Sequence, residues 1–395
     1  MSALLLHTFL IAAAVSLLFA LLGKFGLSMA PDRNVGRFKA HRGHVPRLGG
    51  IAIAAAVFSV VFLNPIGWEL TPLLLLICGG VLLTGLLEDF THATGPALRF
   101  CLTLALATAA FVFADVRLTH MDVPLFDHGM ASPVVSFIVT IFAISGVTHA
   151  VNISDGAHGL AAGISAMSMM SMAAIAFLSG DTELGILLAV IGAATLGFLI
   201  VNFPCGWLFL GDGGAYLLGF SSACTAVLLV ERNPDVSPWA PLVLLAYPVW
   251  ETLFSVGRRM TLERARATDP DGLHLHSLIM KSLWRRFGTH ENRNLLNALS
   301  AVPILVVTAV LSGVVLSNYA DTRSLEAVII LFISGYVSAY LFTRRTVRDG
   351  VLALATKRRM HARPMQMQRR STLRGFTASG TDNPVGNVRN SSPRR

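Results

Sequence analysis

The feature that most constrains this chain is the recurrence of apolar runs close to the length of a membrane span, separated by short polar segments. A spanning helix needs about 20 mostly apolar residues. Eleven stretches qualify: 3–27, 48–63, 71–87, 98–116, 134–151, 160–178, 184–203, 215–230, 238–256, 298–316 and 325–342. Only 13% of the residues are charged and the mean hydropathy is +0.64, too apolar for an ordinary soluble domain. The expected fold class is therefore all-α: a polytopic integral membrane protein with about 11 transmembrane helices. The first run lacks a basic start and an Ala-x-Ala-like cleavage site, so it reads as a retained helix rather than a removed signal peptide.

Basic residues near helix ends stay cytoplasmic, which sets an orientation. With the N-terminus outside, only Arg117, Arg232 and Arg323 fall outside, while the other 28 of 31 Lys and Arg fall in cytoplasmic loops or at cytoplasmic helix ends. The C-terminus is then cytoplasmic. The net charge of +9 needs no nucleic-acid partner, because it reports orientation in the lipid bilayer. Residues 1–343 form the expected transmembrane domain, including a cytoplasmic loop at 257–297. Residues 344–395 read as a basic tail without regular structure. Cys78, Cys101, Cys205 and Cys224 show no paired or metal-type spacing.

Polar clusters fall at the cytoplasmic ends of these runs. The first loop gathers Arg33, Arg37, Lys39, His41, Arg42, His44 and Arg47 ahead of Gly49 and Gly50, a setting for phosphate as well as an inside anchor. Glu88 and Asp89 are adjacent acids at a helix end, suited to a divalent cation or a shared proton, with Arg99 near enough to balance them. Asn152, Asp155 and His158 follow one another at intervals of three, which puts them on one face of a helix. Asp155 beside hydrocarbon is costly unless paired, hydrated or bound to a cation, and that marks a functional site. His158 reads equally as a hydrogen-bonded structural residue. Asp212 lies among Gly211, Gly213 and Gly214 and reads either as an N-cap or as part of a phosphate or metal turn. His274 and His276 in the long loop suit phosphate near neutral pH, followed by an amphipathic helix with Leu278, Ile279, Leu283, Trp284 and Phe287 on its apolar side. Glu251, about two turns before Arg258, reads first as a partner of an arginine.

In order, KAHRGHVPRLGG, GLLEDF, NISDGAHGLAAG, NFPCGWLFLGDGGAYLLGF, PVWETLFSVGRR and DGLHLHS resemble the polyprenyl-phosphate N-acetylhexosamine-1-phosphate transferases, the membrane family that also contains phospho-N-acetylmuramoyl-pentapeptide transferase. The resemblance covers roughly residues 27–286. It implies transfer of an N-acetylhexosamine 1-phosphate from a UDP-N-acetylhexosamine to undecaprenyl phosphate, with release of UMP, using Mg²⁺ or Mn²⁺ at a bacterial inner (cytoplasmic) membrane. The product would open the assembly of an O-antigen, capsule or cell-wall polymer, and a homodimer is compatible with this class. By position, Glu88 and Asp89 match the family's acidic pair, Asp155 the first acid of Asn-x-x-Asp-x-x-Asp-Gly, Asp212 the acid of Gly-Asp-x-Gly, and His274 and His276 its histidine motif. The implied roles are Asp89, Glu88, Asp155 and His158 in catalysis, Asn152, His274, His276, Arg47, His41 and Arg258 in substrate binding, and Asp212 and Asp155 on the metal. Four departures stand out: Glu88 and Glu251 replace the usual Asp, His158 replaces an acid, and Ser277 stands where a further His is common. With the frame intact, they indicate a divergent active branch. A transporter is the main alternative, argued against by acids at helix ends rather than at the midplane and by the absence of a repeat. A silent scaffold of a glycan assembly complex is the second.

Overall fold

The computed structural model describes residues 1–26, 45–64, 72–263, 272–289 and 291–377, together with Thr71; side chains are described as far as Asp349, without those of Leu262 and Glu263. His41 and the other basic residues of 27–44 lie outside the described residues, as does Asp271. Residues 1–343 form one compact unit and residues 344–395 a second.

The first unit is helical: α1 (Ser2–Lys24), α2 (Gly49–Leu63), α3 (Thr71–Thr91), α4 (Pro96–Phe113), α5 (Pro124–Met130), α6 (Pro133–Ser154), α7 (Leu160–Leu178), α8 (Thr182–Asn202), α9 (Gly211–Arg232), α10 (Trp239–Leu244), α11 (Ala246–Arg258), α12 (Leu275–Phe287) and α13 (Arg293–Asn318), with α14 beginning at Thr322. Proline opens α4, α5 and α6, where its missing N–H costs nothing. Asp181 caps α8 by accepting from Leu184 N at 3.2 Å.

Among the described residues, nine helices are long and apolar enough to cross a membrane. Two of the eleven expected spans differ. Residues 48–63 form a shorter apolar helix, α2. Residues 238–256 are broken into α10 and α11 at Leu245, and the cause is local. Pro248 cannot donate to the Leu244 carbonyl four residues back. That carbonyl instead accepts from Ser168 Oγ of α7 at 2.9 Å, so the break leaves no orphan acceptor in an apolar setting.

Helix α9 lies at the centre and is almost wholly buried, while α1, α4 and α14 present mostly exposed apolar faces, as lipid-facing helices do. Small residues let neighbours reach its backbone. A Cβ at Gly85 of α3 would stand 2.4 Å from Gly213 Cα, and one at Gly50 of α2 would stand 2.5 Å from Gly214 Cα. Close backbone approach of this kind is how helices pack where lipid removes the hydrophobic drive between them.

Helix α14 runs as Thr322–Thr377, so the start of the tail expected to lack structure is helical. Its Leu, Ala, Arg, Lys, Met and Gln content favours helix despite its charge. The amphipathic helix expected after His276 is α12.

Candidate active site

The ends of α2, α3, α6, α9 and the His274–His276 segment meet at one end of the bundle. The hub is the turn before α9. Phe209 N donates to Pro46 O at 2.9 Å, Gly49 N to Phe209 O at 2.9 Å, and Gly50 N to Leu210 O at 3.1 Å, which ties the two glycine-bearing segments together. Gly211 has φ +76°, the left-handed region that favours glycine, and a Cβ there would stand 2.7 Å from Asp89 Oδ2.

Asp89 is fully buried and caps α9 from another helix: Oδ1 accepts from Asp212 N at 3.1 Å and Oδ2 from Gly213 N at 2.9 Å. A carboxylate there meets two orphan N–H groups and the positive end of the helix. Arg47 lies 3.4 Å from Asp89 Oδ1 and 3.6 Å from Asp212 Oδ1. Arg99 pairs with Asp212 Oδ2 at 2.8 Å. Arg99 thus balances Asp212 rather than the acidic pair on α3. Asp212 is itself in the first turn of α9, and the N-cap function falls to Asp89.

Glu88, next to Asp89, serves a different contact. Its Oε2 accepts from Thr94 N at 3.0 Å and Thr94 Oγ1 at 2.6 Å, closing the α3–α4 loop.

Asp155 ends α6, its N–H donating to Asn152 O at 3.1 Å. Its carboxylate takes no hydrogen bond or ion pair among the described residues. Burial pushes it up to about 8; Arg47 pulls it down, and the Asp212 and Asp89 charges push it further up. Asp155 is the acid of this end whose charge the chain leaves least compensated.

His158, buried after this turn, stacks on Phe209 at 5.5 Å and 22° and packs against Gly206, while its N–H donates to Asn297 Oδ1 at 2.7 Å. Gly159 N donates to Asn202 Oδ1 at 2.7 Å, whose Nδ2 donates to Leu208 O at 2.7 Å. His158 therefore sits in the seam joining the 155–159 turn to the 203–210 segment.

The histidines arrive through Glu251, which is fully buried on α11. His274 Nδ1 lies 3.0 Å from Glu251 Oε1, and Leu275 N donates to Oε2 at 3.2 Å, so one carboxylate orients the ring and starts α12. Among the described residues Glu251 thus pairs with histidine rather than with arginine. His276 stacks on His274 at 5.5 Å and 9°, and its Nδ1 lies 3.1 Å from Tyr247 Oη. Its Nε2 is so close to Gly156 that a Cβ there would stand 2.1 Å away. This places the imidazole beside the residue that follows Asp155. Arg258 is buried against the Tyr340 ring, 5.9 Å from its centroid.

Mg²⁺ commonly takes one or two protein carboxylates and completes its shell with water and substrate phosphate oxygens. Among the described residues no three His, Cys, Asp or Glu form a cage for a metal. Asp155, uncompensated, with Asp212 and Asp89 within electrostatic reach, fits the sparser kind of site.

Sequence reasoning named Asp89 and Glu251 but not the contacts they make. The capping role of Asp89 depends on a contact between α3 and α9, and no local pattern announces it. The role of Glu251 follows from α12 folding back onto α11, a return that spacing alone does not reveal.

A bundle of long apolar helices that draws acids, arginines and histidines from distant segments to one end fits a polytopic membrane protein with a cluster of charged side chains at that end. Residues 71–230 match the model of glycosyl transferase family 4. The chain is 29% identical over 245 residues, 61% of this chain and 67% of the relative, to a probable undecaprenyl-phosphate N-acetylglucosaminyl 1-phosphate transferase of Bacillus subtilis. It is 27% identical over 254 residues, 62% of this chain and 67% of the relative, to the undecaprenyl-phosphate alpha-N-acetylglucosaminyl 1-phosphate transferase of Escherichia coli K12. The Yersinia pestis protein of that name is 27% identical over 270 residues, 66% of this chain and 71% of the relative. Over these residues the chain is similar to glycosyl transferase family 4 and to undecaprenyl-phosphate N-acetylglucosaminyl 1-phosphate transferases, in line with the resemblance of its motif order.

Proposed function

We propose that this protein transfers an N-acetylhexosamine 1-phosphate from a UDP-N-acetylhexosamine to undecaprenyl phosphate at the cytoplasmic face of a bacterial inner membrane. The observation that carries the reading is the convergence of Arg47, Asp89, Asp155, Asp212 and His276 on one end of the bundle. The relatives' names give the lipid acceptor and the sugar phosphate.

Two polyanions must approach one another, so charge has to be neutralised before the displacement can be aligned. Asp155 and Asp212 would hold Mg²⁺ or Mn²⁺, which would supply positive charge for the donor diphosphate. Arg47 and Arg99, already paired with these acids, keep further positive charge beside it. The acceptor phosphomonoester has its second pKa near 6, so it is largely a dianion at neutral pH. Its oxygen attacks the sugar-bearing phosphorus, and the bond to the bridging oxygen breaks. UMP leaves with that oxygen and its electron pair. The dianion needs little help in losing a proton, which shifts the weight from Asp89 as base to Asp89 as the group that holds the Asp212 turn. His274, oriented by Glu251, and His276, beside Gly156, line the donor side. Glu88 contributes through the α3–α4 loop.

Labelled sugar phosphate transfer from a panel of UDP-sugars to undecaprenyl phosphate, by the purified protein with and without EDTA, tests the reading. Metal-dependent labelling of lipid is expected. UDP-sugar or lipid passage across sealed vesicles without transfer would favour the transporter, to which the broken α10–α11 segment is the one structural pointer.

A further inference from the structure

Behind Asp212 a polar path runs into the apolar bundle through side chains to which the transfer reaction gives no part. Arg99 leads to Tyr216 of α9, His149 of α6 and Thr103 of α4. Proton counting gives this path a direction. Thr103 Oγ1 stands 2.9 Å from Phe100 O and 3.1 Å from His149 Nε2. A carbonyl only accepts, so the single Thr103 hydroxyl proton goes to Phe100 O, and Oγ1 accepts from His149 Nε2–H. A neutral imidazole protonated there presents Nδ1 as an acceptor, and the Tyr216 hydroxyl, 3.5 Å away, donates to it. The Tyr216 oxygen is thereby left to accept, and the Arg99 guanidinium lies within electrostatic reach of it. Arg99 donates Nη1–H to Asp212 Oδ2 at 2.8 Å. The imidazole is held in place by Phe100, 5.4 Å between ring centroids, and by the edge of Tyr216, 5.1 Å and 65°.

We propose that His149, locked as the Nε2–H tautomer, and Tyr216 are positioning residues that hold Arg99 against Asp212. The relay spans α4, α6 and α9, and α6 ends in Asp155 six residues, roughly 9 Å, further on. It therefore couples the orientation of both proposed cation-holding acids to one imidazole. A doubly protonated His149 would turn both nitrogens into donors, force the Tyr216 proton toward Arg99 and undo the order. The inference rests on the proposed role of Asp212 at the cation and donor diphosphate.

The test uses the full chain in lipid nanodiscs and two readouts. Nitrogen NMR of histidine-labelled protein, with the His149 signal assigned by its loss in His149→Phe, should show Nε2 protonated and Nδ1 bare. Tyr216→Phe should shift the Nδ1 signal, since its donor is gone. In transfer assays, Tyr216→Phe and His149→Phe should each raise the Mg²⁺ concentration for half-maximal rate about tenfold, the scale of one hydrogen bond to a charged group. The double variant should resemble the worse single variant, because the two act through one path. An Nδ1–H tautomer, a Tyr216→Phe metal requirement equal to wild type, or a double variant near the hundredfold product would overturn the relay. Tyr216→Phe removes one oxygen, so it keeps the test sharp even where His149→Phe fails to fold. Absent transfer by the wild type would count against the proposed function alone, leaving the tautomer and its response to Tyr216→Phe to judge the relay.

Discussion

Gly156→Ala is the most informative single change, because it asks whether the histidine segment must touch the Asp155 turn. An ideal Cβ at Gly156 would lie 2.1 Å from His276 Nε2, 2.9 Å from Cδ2 and 3.0 Å from Cε1. An ordinary carbon contact needs about 3.5 Å or more, so the ring has to retreat by well over 1 Å. A surface side chain would do so freely. His276 is 2% exposed, stacked on His274 and engaged at Nδ1 by Tyr247, so the retreat moves the start of α12 as well. Gly156 is exposed and its φ is not positive, so an alanine adds no backbone strain. Misplacement of a positioning group by about 1 Å costs up to about a hundredfold in rate. The expected result is a loss of ten- to a hundredfold in kcat/KM for the UDP-sugar. The thermal midpoint of the purified protein should stay within a few degrees of wild type. Labelled-lipid transfer over a range of donor concentrations measures the first, and light scattering on heating in detergent the second. Wild-type kcat/KM in a folded Gly156→Ala protein would refute a role for the His276 contact in donor handling.

Metal affinity should depend on pH through Asp155. The folded carboxyl holds its proton up to about 8, against an ordinary value of 3.8, so the folded state binds the extra proton between those values and metal-free stability falls as pH rises through that window. A cation competes with that proton. Only about 1% of a group with pKa near 8 is ionised at pH 6 and about half at pH 8, so Mn²⁺ affinity followed by EPR should rise roughly 50-fold across that interval. A flat profile in wild type, or one that Asp155→Asn leaves unchanged, would remove Asp155 from the metal. Asp89→Asn should lower stability by ~1–2 kcal/mol as well as activity, since one of the two accepting oxygens becomes an NH2 group that cannot accept and the N–H facing it loses its partner; a denaturation midpoint equal to wild type would dismiss the cap. Glu88→Gln should keep the metal requirement of wild type and lose no more than a few-fold in rate, because its oxygen meets Thr94. Abolished transfer there would restore Glu88 to the chemistry. His158→Asn should disturb the seam with Phe209 more than the pH profile, and flattening of the limb near the histidine range would return it to a proton-handling role.

The fold class was legible because lipid forces a simple code: long apolar runs must be helices, and polar residues beside them must have partners or a use. That code singled out Asp155 as an acid beside hydrocarbon, while Asp212 stood out by its glycines and His276 by its pairing with His274. It misjudged residues 238–256, where the run has the right length and composition but Pro248 denies Leu244 O its donor. Pairings were less legible than positions. Arg99 sits eleven residues after Glu88 and looks like its counter-ion, yet the fold gives Arg99 to Asp212 and Glu88 to Thr94. Helix spacing says which residues share a face, not which of two neighbouring acids a guanidinium from another helix will choose.

The distribution of charge at this end carries a further consequence. Asp89 and Asp212 are in contact with arginines, whereas Asp155 takes no hydrogen bond or ion pair among the described residues and feels Arg47 only at a distance, so the three acids do not form an equivalent set. A dication arriving with a diphosphate gains most from Asp155, where it replaces a proton rather than an arginine. Arg47, shared between Asp89 and Asp212 at 3.4 and 3.6 Å, is longer and looser in its contacts than Arg99 at 2.8 Å. Charge-assisted contacts are strongest near 2.7–2.9 Å, so the Arg99–Asp212 pair is the tightest of these three contacts and fixes the first turn of α9 against the start of α4.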